Sequence, residues 1–390
     1  MIYFILILLF LYPVLKGASV KNNVPKWYYW FLCITITLVA GFRNMVGGDT
    51  FNYMRDWEQH VPTISTLNAI DLVYLAQFYR PLVMVIWIVC KSIWSDFYSI
   101  QIVVSVVANF CAFYIIKEES KRKYETVFLY LLFQFLYFNM EIMREALAVS
   151  VFYFAFRYYD QHKWKNFYLL MIIAFLLHDS SFLFFILPFV HKIIDSKPSL
   201  KKYFYVIIVG GIFFNPIVFS RVLFLLPGDR GADFMKGYGL MENATIFGTI
   251  KSYLAVFLYY YIFIRVRDRC SSYVQKGFSL FMLLSCLGLL MPIFGTRICN
   301  YVRIFSFIVF ADFLCLYKRV IAQKILIVLL MFNFYRYYFN DVTDWVGWKA
   351  GGSKYYFYEL FYPYTSIFEK PDQYVINRRI MIFDQAGTKK

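Results

Sequence analysis

The sequence predicts an all-α fold, a polytopic bundle of transmembrane helices with about 12 spans. Three observations predict it. The chain of 390 residues is 61% hydrophobic and 16% charged, whereas a soluble domain is nearer half apolar and a quarter charged. Apolar runs of roughly 15 to 22 residues recur from end to end with short polar loops between them, the length a helix needs to cross a hydrocarbon core. The ten-residue alternating segments of a membrane β-barrel are absent.

The spans read as 1–15, 27–42, 99–116, 125–139, 145–159, 166–178, 181–194, 203–225, 249–265, 276–296, 301–317 and 323–340. The first has a passable small-residue site after it, Gly17-Ala18-Ser19, but no basic n-region, so it reads as a span rather than a signal peptide. Orientation follows from loop charge. Six basic loops begin at Lys16, Lys117, Arg157, His191, Arg265 and Lys318. They share one side if helix 80–95 lies at the interface and 166–194 dips in and returns. Arg80-Pro81, Lys91 and Ser92 support the first condition. The polar LHDSS stretch supports the second, because backbone breaks at membrane depth are tolerated only beside protein or water. Both termini then lie outside, as do loops 43–98 and 226–248 and an amphipathic tail, 341–390. The transmembrane domain is 1–340.

The net charge of +16 would suggest nucleic acid in a soluble protein. Here the cytoplasmic loops account for it, and no nucleic-acid partner is expected. The seven Cys (33, 90, 111, 270, 286, 299, 315) show no CxxC and no metal spacing, so they read as packing residues. P-loop, GxGxxG, HExxH and DxD patterns are missing, and neither a metal nor a cofactor is expected.

Polar groups at membrane depth are functional candidates because burying them unpaired is expensive. In VGGDTFNY, Asp49 follows two glycines that permit a turn. It suits a base, a salt-bridge partner or a helix cap. Glu141, Arg144 and Glu145 head a span, and a cation at a helix N-terminus opposes the dipole unless an anion offsets it. His178 sits between two half-helices beside Asp179, Ser180 and Ser181, suited to a base, a ligand contact or a structural role. Arg297 and Arg303 flank a short outer turn and face out with Arg43, Arg80, Arg144 and Arg230. Arg forks suit phosphate or pyrophosphate. The tail carries FYPYTSIF, 361–368, suited to packing on the bilayer face or over the site.

Taken in order, these residues resemble the EpsG family, Wzy-like polymerases of exopolysaccharide and O-antigen synthesis. The matching pieces are Gly41-Phe42-Arg43, Val46-Gly47, Asp49-Thr50 and Tyr53, then Arg144-Glu145, then His178 with Ser180 and Ser181. Arg303 and Pro363-Tyr364 with Ser366 and Phe368 complete the set. Glu145 stands where Gln is common, and Asp179 intervenes between His178 and Ser180. The resemblance implies a GT-C-like glycosyltransferase in the bacterial inner membrane, working on its outer face. It would polymerise undecaprenyl-pyrophosphate-linked repeat units into exopolysaccharide, capsule or O-antigen. A lipid-linked oligosaccharide would be the substrate, membrane lipids the surroundings, and a chain-length regulator a candidate partner.

On this reading Asp49 is the first choice for the base and His178 the second. Arg43, Arg144, Arg297 and Arg303 bind the pyrophosphate, with Glu145 and Tyr53 in the substrate site. The alternatives are a transporter or flippase of lipid-linked sugars, for which the two halves show no convincing repeat, and an acyltransferase on surface glycans.

Overall fold

The computed structural model describes residues 2–21, 23–195, 198–213, 246–288, 292–340, 354–370 and 372–388. Among these residues the secondary structure is helical, without strands, and carries one isolated antiparallel bridge, Arg43 to Ser366.

The first two helices, α1 (Ile2–Lys16) and α2 (Lys26–Gly41), are apolar and lead into the polar loop 42–49. Three helices then build the loop region 50–98: α3 (Thr50–Gln59), α4 (Ala69–Phe78) and α5 (Pro81–Ile93). Asn68 caps α4 by accepting the Asp71 N–H at 2.8 Å, and Pro81 opens α5 where its missing N–H costs nothing. Lys91 near the end of α5 donates to the carbonyls of Trp57 and Val61, so the charge inside that apolar stretch is answered by the loop region.

The centre follows. It runs through α6 (Tyr98–Glu119), α7 (Lys123–Phe133), α8 (Phe135–Met140) and α9 (Met143–Asp160). Next come α10 (Trp164–Leu177), a 3-10 stretch (Asp179–Ile186) and α11 (Leu187–Asp195). The remainder are α12 (Leu200–Phe213), α13 (Ile246–Val266), α14 (Ser272–Gly288), α15 (Pro292–Cys299), α16 (Arg303–Leu314), α17 (Arg319–Tyr338) and α18 (Gln373–Thr388). Helix α9 is the hub, packing on α6, α10 and α14. Its Ala146, Ala148 and Ala155 are fully buried, and small residues let neighbouring helices approach closely.

Among the described residues two helices, α6 and α17, are long and apolar enough to cross a membrane, and α1, α4, α5 and α10 are shorter apolar helices. Large apolar side chains stand on the outer surface: Phe4, Leu8, Ile34, Leu38, Val328 and Met331 are all exposed. A surface of that kind suits lipid better than water.

Some expected spans take another form. The run 125–139 breaks at Gln134, whose backbone leaves the helix between α7 and α8. The run 276–296 is not one straight span, because α15 packs back on α14. A Cβ on Gly295 would stand 2.2 Å from the Gly288 Cα, so only glycine allows that approach. The segment 164–195 doubles back. The Trp164 and His191 rings lie 5.9 Å apart, and Lys276 bridges Asp160 at 3.1 Å and Asp195 at 3.8 Å. With 14 residues, α10 rises about 21 Å, short of a hydrocarbon core of about 30 Å. The parts of the expected span 203–225 beyond 213, of the loop 226–248 before 246 and of the tail at 341–353 lie outside the described residues, as does Arg230.

The tail is stapled to loop 42–49. Asn44 N–H donates to Thr365 O at 2.8 Å, Ile367 N–H to Phe42 O at 2.9 Å and Gly47 N–H to Leu360 O at 2.9 Å. Fully buried Arg379 of α18 gathers the carbonyls of Met45, Glu359 and Pro363. Its neighbour Arg378 pairs with Glu359 at 2.5 Å. Replacing Arg379 with Met leaves three carbonyls without that donor, and hydrogen bonds from charged groups are worth about 1.5–3 kcal/mol each. Arg379→Met should therefore make residues 354–370 much more sensitive to limited proteolysis; unchanged cleavage would mean the staple carries no energy.

Candidate active site at the carboxylate and guanidinium cluster

Loop 42–49 holds its shape through backbone geometry that few residues adopt. Gly47 has φ +97°, and a Cβ there would stand 2.1 Å from Met140 O. Thr50 Oγ1 lies 3.0 Å from Val46 O and 3.1 Å from Met140 O. The loop is thus pressed on the end of α8, next to Glu141.

Arg43 departs from the expectation that it binds pyrophosphate. It is fully buried, and its guanidinium donates to Val46 O at 3.2 Å and to Ala40 O. Its own carbonyl accepts from Gln101 Nε2 at 3.1 Å. Arg43 clamps the loop from beneath. A sequence pattern cannot separate the two roles, because either one requires an Arg at that position.

Asp49 occupies the position before α3, yet its side chain makes no cap bond and its backbone is helical. The cap reading therefore falls away. Its carboxylate lies within electrostatic reach of Arg144, Tyr53 and Glu141. Glu141 is the neighbour that sequence reasoning noted at a helix start without assigning it to the site. Burial first, and then the charge of Asp49, pushes the Glu141 carboxyl up from its ordinary 4.5 to about 8. Glu141 therefore keeps its proton at neutral pH.

The sign of this linkage is definite. The folded state keeps the Glu141 proton where the unfolded chain has released it, so stability falls as pH rises from about 4.5 to about 8 and levels off above. Thermal midpoints of Glu141→Gln should vary less across that window than those of the wild type; parallel curves would contradict the pairing.

Arg144 opens α9 and is held in a frame. Its Nη1 donates to Phe78 O at 2.7 Å and its Nε to Tyr53 Oη at 3.5 Å. The guanidinium carbon lies 5.5 Å from the centre of the Tyr53 ring and 4.8 Å from that of Tyr79, a cation–π arrangement. Tyr79 is itself fixed by donating to Asp56. A guanidinium has five N–H donors, so this frame orients Arg144 and leaves capacity for an anion.

The next residue of α9, Glu145, is buried and accepts from Asn300 Nδ2 at 2.8 Å. Arg297, Arg303 and Arg144 are all within its electrostatic reach. Arg297 lies in the last turn of α15 and Arg303 begins α16, so the short turn expected from TRICNYVR is present. His178 lies at the tip of the doubled-back segment. Its Nδ1 accepts the Ser180 N–H at 3.3 Å and is 2.7 Å from Ser180 Oγ, which in turn is 3.0 Å from Tyr301 Oη. That hydrogen-bond pattern assigns the neutral proton to Nε2, which makes the other ring nitrogen a donor rather than a base. Arg80 pairs with Asp179 beside it and also covers the Phe175 ring at 4.6 Å.

Residues from five separate stretches therefore meet: 49–53, 79–80, 141–145, 178–180 and 297–303. The sequence profile of the EpsG family matches residues 26–366. The chain belongs to the EpsG family. No curated protein and no solved structure matches it. The EpsG-family match takes in every member of the cluster and ends at Ser366, the residue that bridges Arg43. With the apolar helices, it points to a membrane location.

Tyr137, Tyr301, Asn300 and Tyr79 were missed from the sequence as site residues. Asn300 had a signal, being a polar residue inside an outer turn flanked by two arginines. The tyrosines had none, since the chain contains 35 of them and interfacial Tyr is ordinary.

Proposed function

We propose that this EpsG-family protein is a polysaccharide polymerase of the GT-C kind. It would span the bacterial inner membrane about 12 times and join undecaprenyl-pyrophosphate-linked repeat units on the outer face, for exopolysaccharide, capsule or O-antigen. The observation that carries this reading is the meeting of a carboxylate pair, Asp49 and Glu141, with Arg144, Arg297 and Arg303 at one site.

The reaction needs those groups. The anomeric carbon–oxygen bond to the pyrophosphate of the growing chain breaks. A hydroxyl of the incoming unit's terminal sugar forms the new glycosidic bond with inversion. Its proton goes to Asp49. The leaving polyprenyl pyrophosphate gains negative charge, which Arg144, Arg297 and Arg303 neutralise. His178, with its proton on Nε2, donates a hydrogen bond to glycan or phosphate. Tyr53 and Glu145 hold the arginines in position. A chain-length regulator would act on the outer face.

The test is the length distribution of lipid-linked glycan in cells carrying Asp49→Asn or His178→Ala. Asp49→Asn should abolish long chains, and His178→Ala should shorten them. Full-length polymer from both variants would rule out this site as the place of chemistry.

A further inference from the structure

A cavity of about 560 Å³ lies between α1, α7, α8, α17 and the tail turn 357–362, within the size range of ligand pockets. Leu6, Leu131, Phe135, Leu330, Phe334 and Phe361 are among its walls. No residue assigned above to the reaction lines it.

One contact and two residues within electrostatic reach join this apolar space to the charged cluster. Tyr337 lines the cavity and is also within electrostatic reach of Glu141 and Arg303. Helix α8 gives Phe135 and Leu136 to the cavity, while the next residue, Tyr137, reaches Glu145, Arg297, Glu141 and Asp49. Tyr3 lines the cavity too, and its hydroxyl touches Met140 Sδ at 3.8 Å, one residue before Glu141. An apolar cavity with a lining residue, Tyr337, in electrostatic reach of a guanidinium matches an amphiphile with an anionic head and a long hydrocarbon chain.

We propose that this cavity holds the polyprenyl chain of a lipid-linked glycan whose pyrophosphate lies at Arg297 and Arg303. The proposal rests on the polymerase reading and adds to it where the lipid is gripped.

The experiment uses the full-length protein in phosphatidylcholine nanodiscs with two probes, a long-chain polyprenyl pyrophosphate and geranyl pyrophosphate. Leu330→Trp and Ile7→Trp fill the cavity. Val328→Trp, at a residue 65% exposed on α17 and outside the lining, is the control. The filling variants should weaken the long-chain probe by at least about tenfold and the short one by less than about twofold; the control should change neither. Unaltered long-chain binding in the filled variants overturns the cavity proposal and leaves the polymerase reading standing. A wild-type protein that binds neither probe overturns both. Equal competition by phosphatidylglycerol makes the cavity an ordinary lipid site and also overturns the proposal. Should the tryptophan variants fail to fold, a diazirine-bearing polyprenyl pyrophosphate should label α1 and α17 of the wild type; labelling confined to other helices overturns it.

Discussion

Cells carrying Arg144→Ala should lose long glycan and accumulate single lipid-linked repeat units on the outer leaflet. In the proposed reaction Arg144 offers oriented donors where the leaving group gains charge, and removing one such donor from an active site costs on the order of 10²–10³ in rate. The frame around it sharpens the expectation. The guanidinium lies against the Tyr53 and Tyr79 rings and donates to Phe78 O. An ammonium is a point charge without a plane to stack or a fork to present, so Arg144→Lys should rescue little. Single units accumulating on the inner leaflet would instead mean that the protein moves them, which is the transporter reading. A normal glycan profile would remove Arg144 from the site.

Gly47→Ala should be the most damaging small change to the fold. The positive φ of +97° strains any Cβ, and the added carbon would stand 2.1 Å from Met140 O. Strain of this kind costs about 1–3 kcal/mol before the clash is counted. Relief requires the loop to leave α8, which would also separate Asp49 from Glu141. Gly48→Ala, at a residue outside the positive-φ region, should be milder. Thermal midpoints in detergent and the yield of monodisperse protein read the difference; equal stability of the two variants would contradict the loop geometry.

Much of the helical architecture was legible in the sequence, because long apolar runs separated by short polar loops report directly on helices packed in an apolar setting. Breaks were harder to see. Gln134 interrupts α7 and α8 without a Pro or Gly, and α15 folds back on α14 through a close approach of Gly288 and Gly295 that an apolar run does not announce. The same limit applies to the site. Asp49, Arg144, His178 and Arg303 stood out because each is a polar group in an apolar setting. Arg43 stood out equally, yet it turns inward to clamp the loop. Arg379 fell within what read as an amphipathic tail and drew no separate notice, although it is fully buried against that loop. Whether an arginine faces a ligand or a carbonyl depends on contacts across more than 300 residues, such as the one from Arg379 to Met45 O, and periodicity carries no trace of these.

The most direct measurement uses purified wild-type protein in vesicles, supplied only with lipid-linked repeat units on the face that carries Asp49 and no nucleotide sugar. The polymerase account predicts a ladder of longer glycans, with one polyprenyl pyrophosphate released for each bond formed. Repeat units that change leaflet without lengthening would contradict it.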